Sequence, residues 1–104
     1  MEQNLVVDAS GNASLNLSGN LDRDSLSKDF FQGLAKSSVH SMASAKQLLV
    51  NLKNVERVDT AGLAWLINIV RDGKAKNINV TFADVPDKLL HLADLSGAKE
   101  ILQA

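Results

Sequence analysis

Val55-Glu56-Arg57-Val58-Asp59-Thr60-Ala61-Gly62-Leu63-Ala64-Trp65-Leu66 is the stretch around which the chain is organised. An apolar run from Gln47 to Leu52 leads up to it, and apolar residues at helical spacing lead away. Between them lies a short polar turn, Asp59-Thr60, at the point where the first amides of a helix lack intrahelical acceptors. The continuous apolar centre of 47–52 predicts a strand covered on both faces. Residues 54–59 read as a connection, with Val55 and Val58 turned inward. The spacing then predicts a helix from about Thr60 to Lys74, with Leu63, Leu66, Ile67 and Val70 on one stripe and Gly73 as its stop signal.

Working outward, Leu5-Val6-Val7 is a short β-branched run closed by the turn formers Asp8-Ala9-Ser10-Gly11-Asn12. Ala13, Leu15 and Leu17 then alternate with Ser14, Asn16 and Ser18, the period of a strand with one wet face. The two segments read as an antiparallel hairpin. Ser18-Gly19-Asn20-Leu21-Asp22 leaves that strand, and Asp22 or Asp24 is placed to cap a helix over about 25–36 carrying Leu26, Phe30, Phe31 and Leu34. The four serines of Ser37–Ser44 predict a frayed end or a loop.

On the other side, Ile78, Val80 and Phe82 alternate with Asn79 and Thr81 as a fourth strand. Asp84-Val85-Pro86 opens a third helix, with Pro86 suited to the first turn, and Ser96-Gly97 ends it. Lys99 to Leu102 reads as a short terminal turn. The order β-β-α-β-α-β-α predicts an α/β fold: one domain over 1–104, built on a mixed sheet of about four strands.

Composition removes several classes of function. The formal net charge is −1 and the basic residues are scattered, so no footprint for nucleic acid exists. Nor is there a polybasic anchor for lipid. The lack of cysteine removes disulfides, thiolate catalysis and zinc-ribbon chemistry. No apolar run approaches the roughly 18 residues that span a bilayer. Met1-Glu2-Gln3-Asn4 has none of the marks of a signal peptide. A cytoplasmic protein is therefore expected, reaching a membrane only through a partner.

Catalytic constellations are equally scarce. Gly73-Lys74 is followed by Ala75, where a phosphate-binding loop needs Ser or Thr. There is no Gly-x-Gly-x-x-Gly and no Gly-x-Ser-x-Gly. His40 and His91 are the only imidazoles, at a spacing that suggests no metal site. Thr60 has no evident base to activate it. The expectation is a protein that is not an enzyme and needs no cofactor or metal.

The Asp59-Thr60 turn has two readings. Either residue can cap the helix, which by itself explains both residue types. Alternatively, the smallness of Ala61 and Gly62 leaves the helix start open to a partner backbone or an added phosphate. At about 100° per residue, Ala61, Trp65 and Ile69 fall opposite the Leu63–Ile67–Val70 stripe. A neighbouring helix covers them, or they form an apolar patch beside the turn that binds a partner or a second copy of the chain.

These residues resemble a known family. The order of elements, the segment Leu17-Ser18-Gly19-Asn20-Leu21-Asp22, and Val58-Asp59-Thr60-Ala61-Gly62-Leu63 within Leu52–Leu66 are similar to the STAS domain, over nearly the whole chain. The resemblance implies a sheet with helices packed on one side and a functional surface at the start of the second helix. In the anti-anti-sigma branch of that family, a phosphorylated hydroxyl directly precedes the glycine; here that position is Ala61, so the acceptor role does not carry over to Thr60. The departure points to the branch of stand-alone STAS subunits in phospholipid-transport ABC complexes, cytoplasmic and peripheral to the inner membrane. There the STAS subunit binds the ATPase and supports its assembly or activity, and the Thr of the motif matters. The resemblance thus implies Thr60, with Asp59, Ala61 and Trp65 beside it, as partner-binding residues. The alternative it leaves is an anti-anti-sigma factor that binds an anti-sigma kinase.

Overall fold

The computed structural model describes residues 2–7, 12–23 and 47–103. The helix expected over 25–36, the serine-rich stretch after it, the turn at 8–11, Asp24 and His40 lie outside the described residues. Four strands, β1 (Glu2–Val7), β2 (Ala13–Leu21), β3 (Gln47–Val58) and β4 (Asn79–Ala83), form one sheet in the order β1-β2-β3-β4. β1 and β2 are the antiparallel hairpin that the alternation predicted, in the register Glu2–Ser18 to Val7–Ala13. The pairs β2–β3 and β3–β4 are parallel. Among the described residues three helices are seen: α1 (Thr60–Ala75), α2 (Asp87–Leu95) and α3 (Lys99–Gln103). The fold is the expected α/β arrangement, a mixed four-stranded sheet with helices.

One face of the sheet is buried, and β3 corrects the expectation of cover on both sides. Leu48, Val50 and Leu52 are fully buried with Leu15 and Leu17 of β2, whereas Leu49 on the other face is 39% exposed. Across that outer face run Asn4, Asn16 and Asn51 in register, and beside them Val6, Ser14 and Leu49. The alternate positions Gln47, Leu49 and Asn51 belong to a half-wet strand. A single apolar residue among polar ones made the run look continuous.

β3 also continues to Val58 instead of ending at Leu52. Two register shifts in its pairing with β2, between Asn16 and Ser18 and between Gly19 and Asn20, give β3 extra residues there. Each bulge breaks the period of two. Lys53, Asn54, Glu56 and Arg57 are therefore exposed while Val58 returns to the core, which made the segment read as a loop. β2 likewise runs on to Leu21, and Gly19 takes the positive φ of 83° that the irregularity requires.

α1 packs chiefly over β4 and carries the largest helical share of the core. Its buried line is Gly62, Leu66, Ile69 and Gly73, flanked by Leu63 on one side and Trp65 on the other. Ile67 and Val70, expected at the centre of the stripe, are only partly buried at its margin. The helix is rotated from its expected orientation because glycines mark its line of closest approach. At Gly73 a Cβ would lie 2.8 Å from Val80 Cγ2 and 3.1 Å from the Ile78 carbonyl oxygen. Gly73 is thus a contact residue and not the stop. The helix ends later, where Asn77 adopts φ 61° and the amides of Asn77 and Ile78 donate to the carbonyls of Lys74 and Gly73.

α2 starts after Pro86, one residue later than expected. The Pro86 carbonyl accepts from the amides of Leu89 and Leu90. It ends as expected at Ser96-Gly97, with Gly97 at φ 73° and the Ala98 amide donating to Ala93 at 2.7 Å. Leu89, Ala93 and Leu102 bring α2 and α3 into the same core cluster. No described helix is long and apolar enough to cross a membrane.

Candidate functional site at the Asp59-Thr60 turn

β2 and β3 end side by side, with Leu21 paired to Val58, and the chain turns directly into α1. Asp59 is extended (φ −120°, ψ −173°), the conformation of a residue that precedes a helix. Its amide donates to the Leu21 carbonyl at 3.2 Å, and its own carbonyl accepts from the Leu63 amide at 3.0 Å. Its carboxylate divides between two segments: Oδ1 accepts from the Gly62 amide at 2.9 Å, and Oδ2 accepts from the Arg23 amide at 3.2 Å. One side chain therefore joins the helix start to the chain leaving β2. These amides, Gly62 first and Arg23 second, stabilise the anion and hold the Asp59 carboxyl below the ordinary carboxylate range.

Of the two candidate caps, Asp59 is the one used. Thr60 is the first residue of α1, and it is exposed. Ala61 is half-buried beside it. Gly62 corrects the reading that small residues here leave room for a visitor, because it is buried and its missing side chain is already accounted for within the fold. A Cβ on Gly62 would run into the Leu21 carbonyl oxygen, with the Leu21 carbonyl carbon at 2.9 Å and its Cβ at 3.0 Å. The helix start sits directly on the end of β2.

Trp65 requires a second correction. It is 5% exposed and Ile69 is 2% exposed, so both belong to the core: of the two readings, these residues are covered and do not form an apolar patch beside the turn. What remains accessible on this side of α1 is Thr60 and Ala64, with Ala61 partly so. Sequence reasoning missed Leu21 and Arg23 as parts of the site. The signal was present in the segment Leu17–Asp22, but nothing in its spacing says that it touches 58–63 in space. Asn20 adds a buried Oδ1 without a hydrogen-bond partner at the same end of the sheet.

Among the described residues no set of His, Cys, Asp or Glu side chains is clustered to hold a metal ion. His91 is exposed on α2. A shallow groove lies over the bulged β2–β3 pairing, between Ser18-Gly19 and Lys53 to Glu56. The turn itself offers an exposed threonine on a braced backbone.

Residues 5–103 match the family described as "Mlab, STAS domain". The chain is a STAS domain. It is 37% identical over 82 residues to the intermembrane phospholipid transport system binding protein MlaB of Escherichia coli (strain K12), covering 79% of this chain and 77% of that protein. The Shigella flexneri protein of the same name matches to the same extent. Among solved structures, the STAS fold recurs in the anti-sigma factor antagonist SpoIIAA. Its unphosphorylated form superimposes with a TM-score of 0.64 at 12% identity, covering 97% of this chain and 85% of that one. The phosphorylated form, described as a Bacillus cell fate determinant, gives 0.59 at 12% identity, covering 97% and 88%. The fold expected from the two motifs is thus the one observed, and MlaB-like sequence accompanies it.

Proposed function

We propose that this STAS domain is a non-enzymatic accessory subunit that binds the ATPase of a Mla-type phospholipid-transport ABC complex and supports its assembly or activity. The likeness to MlaB supports the transport system. The single observation that carries the docking site is the division of labour at the turn. Asp59 supplies the cap and the brace to Arg23, so the Thr60 side chain is exposed without being needed to hold the helix. Thr60 is the contact residue, Asp59 fixes the backbone that presents it, and Ala61 keeps its neighbourhood low. The buried Trp65 supports this surface from beneath and makes no contact with a partner. On this reading the protein works in the cytoplasm and reaches the inner membrane through its ATPase.

Affinity capture from a native extract tests the proposal, with an ABC ATPase and its permease as the expected catch. Recovery of a kinase-like anti-sigma protein instead would overturn it in favour of partner switching. Thr60→Ala is expected to reduce capture at least tenfold while changing stability by no more than about 0.5 kcal/mol, the usual range for an exposed site. Equal capture by Thr60→Ala and the unaltered chain would remove Thr60 from the interface. Incubation with ATP and cell extract is expected to leave the intact mass unchanged, since Ala61 has no hydroxyl.

A further inference from the structure

β2 changes character along its length. Over 13–18 it lies between two strands, paired to β1 on one side and to β3 on the other. Over 19–21 it is paired to β3 alone, and no described strand borders its other side. Both register shifts fall at this change, between Asn16 and Ser18 and between Gly19 and Asn20. Such irregularities interrupt the ladder hydrogen bonds and bend the strand.

Two hydrogen bonds tie the far end of this segment to the Asp59 turn. The Asp59 amide donates to the Leu21 carbonyl, and the Arg23 amide donates to Asp59 Oδ2, each at 3.2 Å. Both lie at the long end of the N–H···O range. The Leu21 side chain is fully buried and its backbone rests on Gly62, so the segment is closed at rest. Against that closure stands Asn20, whose Oδ1 is buried with no hydrogen-bond partner. Opening removes that cost, because water then reaches the oxygen. α1 is seated chiefly on β4 and keeps that seat whether the segment is closed or open.

We propose that residues 19–23 form a strap over the start of α1, hinged at the register shifts and latched by Asp59, which opens as a unit while the rest of the sheet stays folded. Opening withdraws the Leu21 carbonyl from Gly62 and from the Asp59 amide, and releases the Arg23 amide from Asp59 Oδ2. The pairing of β1 with β2 over 13–18 and of β4 with β3 over 47–51 stays in place. Parts of a fold with interrupted ladders and little flanking structure open in this way, ahead of global unfolding. The strap is a property of the chain alone, so it stands or falls apart from the docking role proposed above.

Hydrogen exchange of the purified chain, followed amide by amide by NMR and normalised to intrinsic rates, tests the strap. The Asp59 amide, whose acceptor lies on the strap, is expected to exchange at least tenfold faster than the ladder amides of 48–50. Val80→Ala removes a buried contact of β4 that the open and closed forms share. It is expected to speed exchange at 48–50 at least tenfold, and to leave the Asp59 and Arg23 amides unchanged within twofold. Asp59→Ala removes the latch but keeps the amide at 59 and its backbone acceptor, and is expected to speed exchange of that amide about tenfold. An Asp59 amide as slow as 48–50, or one that Val80→Ala speeds by the same factor, means that the strap opens only with the whole fold. An unprotected Asp59 amide means that nothing is latched. An amide at 59 that keeps its rate in Asp59→Ala means that the carboxylate is not the catch. Each of these results overturns the proposal.

Discussion

The two ends of α1 meet the sheet in opposite ways. Each rests on it through a glycine, Gly62 against Leu21 and Gly73 against Val80 and Ile78. At the C-terminal end the closure is made by backbone groups, with Asn77 and Ile78 donating to Lys74 and Gly73. At the N-terminal end the closure depends on one carboxylate, which reaches both Gly62 and Arg23. The C-terminal end is a stop that many sequences could build. The N-terminal end is a specific brace of charge and shape, and it holds an exposed threonine. That difference is the ground on which the docking point is proposed at the N-terminal end.

The largest effect is expected from the glycines, and it should separate the two ends. Gly62→Ala drives a methyl into the backbone of Leu21, which has no rotamer to yield. A loss of about 3 kcal/mol is expected, at the upper end of overpacking costs. In Gly73→Ala the nearest atom is a valine methyl, and better helix propensity offsets part of the strain. A change within about 1 kcal/mol is expected there. Urea denaturation followed by circular dichroism measures both. Equal losses would mean that the helix is not seated more tightly at its start.

How far the chain could be read without its structure follows from the same residues. The hairpin, the parallel strands and the first two described helices were legible, because alternation and helical spacing are local signals, whereas the five-residue helix Lys99–Gln103 read only as a terminal turn. The orientation of α1 was not. Hydrophobicity points to Leu63, Leu66, Ile67 and Val70, whereas the true line of contact runs through Gly62, Leu66, Ile69 and Gly73 and shares only Leu66 with it. Glycine contributes nothing to a hydrophobic stripe, so the rotation that buries Trp65 left no trace in the pattern. The last six residues of β3 were hidden by bulges for a related reason, since an inserted residue inverts the period on which the reading depends. At the site, Asp59 and Thr60 were visible as a turn. Leu21 and Arg23 were not, because contacts between segments this far apart are a property of the sheet register.

A smaller but more diagnostic effect belongs to the Asp59 carboxylate. Asp59→Ala removes the acceptor for two amides, and a fall in Tm of about 5 °C is expected for a domain of this size. Asp59→Asn keeps an oxygen for Gly62 but offers Arg23 no second one, so it should fall between the two. The pH dependence has a definite sign. The carboxyl titrates lower in the folded chain than in the unfolded one, so its stabilisation is present above the unfolded value, about 3.9. It is lost as pH falls through the folded value. The Tm gap between the unaltered chain and Asp59→Asn should therefore be constant above about pH 5 and close in stronger acid. Calorimetry across pH checks this, and a gap that widens in acid would mean that the carboxylate is strained rather than stabilised by its amides.

The smallest effect is expected at the other end of the helix, and it sharpens the contrast most. Asn77 holds a left-handed conformation at φ 61°, which Asn tolerates and Gly adopts freely. Asn77→Gly should leave stability unchanged or raise it by about 0.5 kcal/mol, while Asn77→Ala should lower it by about 1 kcal/mol. Neither variant should alter the acid response, because no side chain titrates in the hydrogen bonds that close this end. Neither should alter partner capture, because Thr60 lies sixteen or more residues away at the far end of the helix axis, roughly 24 Å along it. If Asn77→Ala abolished capture while the chain remained folded, the partner would be gripping both ends of α1, and the N-terminal turn would lose its claim to be the docking point.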